Sequence, residues 1–109
     1  MDLLHAYDAA RPAQVDFAAT VRGSPRFFYG HRSHAEHEAF NVSSAAGPIQ
    51  VVDNVSVAPP VPVRDGDRVE VRGVMVHDPG RIPVVHWTHH DPSGRHAGGF
   101  IRWQGRLYA

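Results

Sequence analysis

Residues 86 to 96 read HWTHHDPSGRH and hold four of the chain's nine histidines, one of its two tryptophans, an aspartate and an arginine. Imidazole and carboxylate are the side chains that ligate first-row metals, and imidazole is also the commonest general acid or base near neutral pH. Read as a strand, the stretch puts His86, Thr88 and His90 on one face and Trp87 and His89 on the other. His86 and His90 then lie roughly 13 Å apart, too far to share one ion. Asp91-Pro92-Ser93-Gly94 has the residues of a type I turn, which returns Arg95 and His96 toward His90. The expected site is therefore His90 and His96 as catalytic groups with Arg95 as a phosphate clamp. His90, His96, Asp91 and His37 are the candidate ligands of a divalent metal such as zinc. Trp87, His89 and Arg95 are candidate ligand contacts, with Trp87 as a stacking platform, although the pattern fits a core role for Trp87 better and a turn-capping role for Asp91 equally well. The serines lie in turns and form no recognisable nucleophile constellation.

A second stretch, residues 22 to 36, interleaves Phe27, Phe28 and Tyr29 with Arg22, Arg26, His31, Arg32 and His34. Single-stranded nucleic acid is bound by such mixtures, because bases stack on rings while guanidiniums track phosphates. Two function classes follow. One is a metal-assisted hydrolase of phosphodiesters or nucleic acid, in which an ion generates hydroxide and Arg95 neutralises the developing charge. The other is a binding module that grips single-stranded nucleic acid or another anionic ligand without turning it over.

The chain has 109 residues, enough for one domain with one core. Eleven basic residues cancel eleven acidic ones, so net charge argues for no particular partner. All eleven cations are arginine. Cysteine is absent, which excludes disulfides and thiolate chemistry. No apolar run approaches the roughly 20 residues of a membrane span, and the N-terminus lacks a signal-peptide pattern. A cytoplasmic protein is expected from the chain as given, or an exported form if a leader has been removed. Clustered histidines are expected to have depressed pKa values, with stability falling as pH drops through about 6.5.

The elements that must position these residues are mostly strands. Residues 2 to 10 suggest a short helix stopped by Pro12, in an N-terminal segment 1–12. Val15, Phe17, Ala19 and Val21 alternate as a first strand, and 22–36 breaks periodicity as a loop. Phe40 and Val42 face inward on a second strand, Ile49 and Val51 on a third, with a turn at Ala45 to Pro48. Three prolines make 56–66 an extended crossover, closed by Asp65-Gly66. Residues 67 to 76 form a fourth strand, its phase slipping at Gly73 toward inward Val74 and Val76. Ile82 to His90 is the fifth, and 100–108 a hairpin about Gln104-Gly105. The expected fold is mainly β: a single domain whose residues 15–109 make a small five-stranded barrel of the oligonucleotide/oligosaccharide-binding (OB) type with a C-terminal hairpin.

The segments HEAFNVSSAAGPIQVVDNVSVAPPVPVRDGDRVEVRG and HWTHHDPSGRHAGGFIRWQGRLY resemble the DUF3465 family of small bacterial proteins of unknown function. The likeness covers most of the chain. His37, Asn54, His86, Trp87, Thr88, His89, His90, Asp91, Arg95, His96 and Gly105 sit on the family's motif positions, which adds Asn54 to the candidate ligand contacts. The resemblance implies no activity, and members resemble exported proteins with an N-terminal leader.

Overall fold

The computed structural model describes residues 2–8, 11–95 and 97–109. A short helix α1 (Leu3–Asp8) precedes β1 (Ala13–Gly30), β2 (Ala35–Ser44), β3 (Gly47–Asn54), β4 (Arg68–Val76), β5 (Val84–His86), β6 (Phe100–Trp103) and β7 (Arg106–Tyr108). The sheet order is β1-β2-β3-β5-β4-β6-β7, and β1 also pairs with β4, so the first five strands form a ring. Only the β3–β5 pairing within the ring is parallel. A parallel neighbour needs a long return, supplied here by the Pro-rich crossover together with β4.

Alternation puts one row of each strand inside the ring. Val15, Phe17, Ala19 and Val21 of β1 meet Phe40 and Val42 of β2, Ile49 and Val51 of β3, Val69, Val71 and Met75 of β4, Val85 of β5 and Ile101 of β6 in one core. Each of these side chains larger than alanine contributes about 1.5 to 3 kcal/mol on burial. Closing the ring also pairs strand edges that would otherwise be open to other chains. Helix α1 tucks Ala6 into this core, and the Tyr7 carbonyl accepts from His77 Nδ1. No described helix is long and apolar enough to cross a membrane. Trp103 Nε1 donates to Asp67 Oδ2 at 2.8 Å and ties the β6–β7 hairpin to the start of β4.

Three elements differ from expectation. Residues 22–30 are not a loop: β1 continues through them, with an irregularity between Arg22 and Arg26, because the aromatic run pairs with β2 from Arg26↔Ala39 to Gly30↔Ala35. Only His31 to His34 form the turn. In β4 the phase does not slip, since Gly73 takes the inward slot and Val74 and Val76 face out. The third is β5, which ends at His86 rather than His90.

Candidate functional site

Strand β5 stops because Trp87 adopts a left-handed backbone, φ 60°. A non-glycine residue seldom does so, and the neighbouring packing compels it. Gly99 NH donates to the His89 carbonyl at 2.7 Å. A Cβ on Gly99 would collide with the carbonyls of Trp87 and Arg72, and one on Gly73 would stand 2.5 Å from the His86 carbonyl. Residues 86–88 are thus seated on β4 and against the approach to β6 through two side-chain-free contacts. The reversal at Trp87 sends Thr88 inward, fully buried, where its hydroxyl donates to the Val52 carbonyl at 3.0 Å.

Segment 87–93 so placed walls a cleft of about 510 Å³ over the outer face of β2 and β3. Its lining includes His37, Val52 and Asn54 from the floor, Ser33 from the β1–β2 turn, and His86, Trp87, His89 and Asp91 from the wall. His37 and Asn54 are register partners, so they stand side by side. The His37 ring stacks on Phe28 at 5.3 Å, and the Arg26 guanidinium lies 5.1 Å over the same Phe28. His89 stacks on Trp87 at 6.1 Å.

Hydrogen bonds set what each group can offer. His37 Nδ1 is 2.9 Å from the Ala35 carbonyl and Nε2 3.3 Å from Ser33 Oγ, a pairing that assigns the proton to Nδ1. His89 Nδ1 donates to the His90 carbonyl at 2.6 Å, which turns its Nε2 into an acceptor. Asn54 Oδ1 accepts from Ser56 N and Ser56 Oγ, leaving the amide NH₂ as the donor end. Burial first, and His89 nearby second, lower the His86 pKa below the usual histidine value.

The expected residues separate here. Trp87, His89, Asn54, His37 and Asp91 come together around the cleft, whereas His90 and Arg95 are exposed and do not figure among its lining residues. Asp91 caps its own turn: Oδ1 accepts from Ser93 N and Oγ, and Oδ2 from Arg95 N at 3.0 Å. His96 lies outside the described residues. Among the described residues no three His, Asp or Glu side chains stand close enough to hold one ion.

Beneath the cleft floor lies a pair the motif did not announce. Glu38 and Asp53 are register partners on β2 and β3, and each is 1% exposed. Glu38 Oε1 accepts from Val61 N at 2.8 Å, Asp53 Oδ1 accepts from Thr88 Oγ1 at 3.4 Å, and Asp53 Oδ2 has no hydrogen-bond partner among the described residues. Burial, reinforced by the nearby Glu38 and opposed by Thr88, pushes the Asp53 carboxyl up to about 7. Burial also raises Glu38, against the Val61 bond. The signal was present in the sequence: the alternation that turns Phe40, Val42, Ile49 and Val51 inward extends to Glu38 and Asp53.

Residues 12–109 match the profile of the family described as "Protein of unknown function (DUF3465)". The chain belongs to the DUF3465 family. Its match starts just before β1, so in this DUF3465 chain the whole ring, the crossover and the HWTHHDPSGRH stretch fall inside it. No curated protein and no solved structure matches the chain.

Proposed function

We propose that this DUF3465 domain is an OB-like binding module whose β2–β3 outer face takes single-stranded nucleic acid or a related anionic ligand with planar rings. The observation that carries the proposal is the cleft itself: two ring stacks, Phe28–His37 and Trp87–His89, flank one opening whose remaining polar groups include the Asn54 amide. OB-type rings bind on the strand 2–3 face beside the strand 1–2 turn, the place where Ser33, His37, Val52 and Asn54 lie. A second hollow, lined by Gln50, Val84 and Arg81 among others, continues the same outer rows of β3 and β5. Gln50 and Asn54 are roughly 13 Å apart along β3, a span suited to an extended chain.

The test is titration of the protein with an unstructured DNA strand of about ten nucleotides, within the range one such fold covers. Trp87, 45% exposed, reports stacking through its fluorescence. The expected outcome is quenching that weakens with salt. A strand that neither quenches nor shifts by anisotropy at low salt would exclude the proposal.

A second reading, a metal-assisted phosphodiester hydrolase, draws on three imidazoles that line one cleft, His37, His86 and His89, which as placed do not hold one ion and would have to converge on it. Elemental analysis separates the two: stoichiometric zinc in the purified protein, with loss of phosphodiester cleavage on its removal, would favour the hydrolase.

A further inference from the structure

Two carboxyls side by side in a protein interior pose an electrostatic problem the rest of the chain does not solve. Glu38 and Asp53 face the interior from adjacent strands, and no arginine or histidine pairs with either among the described residues. What faces Asp53 is Glu38 from β2 and the Thr88 hydroxyl from the segment after β5; what faces Glu38 from the crossover is the Val61 NH. His86 and His89, the nearby titratable groups of the wall, lie at the cleft. With one proton on the pair, Asp53 is neutral and Thr88 sits buried against it. Without it, two negative charges share a buried site where no cationic side chain pairs with either among the described residues. Relief requires hydrating the Asp53 carboxyl, and the cleft-side element in contact with it is Thr88, whose hydroxyl lies 3.4 Å from Oδ1 and whose neighbours Trp87 and His89 are the wall. The crossover side is fixed by the Glu38–Val61 bond.

We propose that Asp53 is a proton-held latch for the cleft: the protonated carboxyl keeps Thr88 and the 87–91 wall seated, and its ionisation releases them. This regulation concerns the cleft of the binding proposal and rests on it for its consequence, but the latch has a readout of its own. The shared proton makes the titration a property of the pair, so a change at Glu38 must move it.

The test is nuclear magnetic resonance of the full chain from pH 5.5 to 8.5, following the Asp53 side-chain carboxyl carbon and the amides of Thr88, His89 and Gly99. In the wild type the carboxyl should titrate with a midpoint about 7, and the three amides should move with the same midpoint. In Glu38→Gln the midpoint should fall. In Asp53→Asn the amide transition should vanish, while the imidazole titration of His86 persists. Thr88→Val, which keeps the volume but removes the hydroxyl that opposes the shift, should raise the carboxyl midpoint further and uncouple the amides; it serves if Asp53→Asn folds poorly. An Asp53 carboxyl that titrates near its ordinary value, or amide shifts that follow the imidazoles and survive in Asp53→Asn, would overturn the latch. Binding of the same short DNA strand should be tighter at pH 6 than at pH 8 in the wild type and lose that difference in Asp53→Asn. A latch that titrates as described with no DNA binding at any pH would instead remove the binding proposal and leave the latch standing.

Discussion

Residues 86–95 and the β2–β3 hairpin carry their chemistry in opposite ways. The first is dense in polar groups by type, yet much of it is spent locally: Asp91 on its own turn, His89 Nδ1 on the next carbonyl, His90 and Arg95 left to solvent. The hairpin carries only two inward acids in runs of apolar residues, and burial raises the pKa of both. Residue type sets what a group can do, whereas desolvation and unmet hydrogen bonds set what it is driven to do. The difference teaches that a cluster of reactive side chains on a turn is weaker evidence of unusual chemistry than a single carboxyl inside a ring of strands.

The most forceful way to break that comparison is through pH and Asp53. Its folded pKa lies above its unfolded value of 3.8, so between about 4 and 7 the folded state holds a proton the unfolded state has released. Stability should therefore fall as pH rises through that window, by up to ~1.4 kcal/mol per pH unit, and level off above about 7. Glu38 acts in the same direction. Denaturant unfolding of Asp53→Asn should show a flatter profile and a more stable protein at pH 8 than the wild type. A wild type that instead gains stability from pH 4.5 to 7 would mean that the pair is not buried in solution.

The seating of the wall comes next. Gly99→Ala forces a Cβ against two backbone carbonyls that cannot step aside, and should cost about 3 kcal/mol, the upper part of the usual range for overpacking. The measurement is the midpoint of urea unfolding; a loss under a few tenths would show that 86–88 can move off β4 freely.

The rings themselves should matter less to stability and more to binding. Trp87→Ala and His89→Ala are each expected to weaken DNA affinity by about 1 to 3 kcal/mol, the worth of one stacked base. His90→Ala should leave it unchanged, since His90 stands outside the cleft lining. Equal losses for His90 and His89 would restore the whole motif, rather than its cleft-facing half, as the site.

The smallest effect belongs to His86. Its folded pKa is lowered, so the unfolded state takes up a proton first as pH falls through 6.5 and stability drops on that limb. The general expectation of depressed histidines is met at this residue, and two raised carboxyls oppose it over the same window. His86→Gln should steepen the gain in stability from pH 7 to 5.5, and a profile identical to wild type would show that His86 is solvated.

The sequence by itself determined the mainly β character, the short N-terminal helix, the crossover at 56–66, the C-terminal hairpin and the inward rows of β1 to β3, because period-two alternation and proline are local signals that each strand carries alone. It also marked Trp87, His89, His37 and Asn54 as residues to watch. Tertiary structure decided the rest. The strand through Phe27 to Tyr29 exists because β2 lies beside it, and β5 ends at His86 because Gly73 and Gly99 let the chain sink where a Cβ would block it. That reversal turned Thr88 inward, carried His90 away from the cleft and left His86 beside it. It also placed the one hydroxyl that meets Asp53, two residues joined across 35 positions of sequence by a contact that only the closed ring brings about.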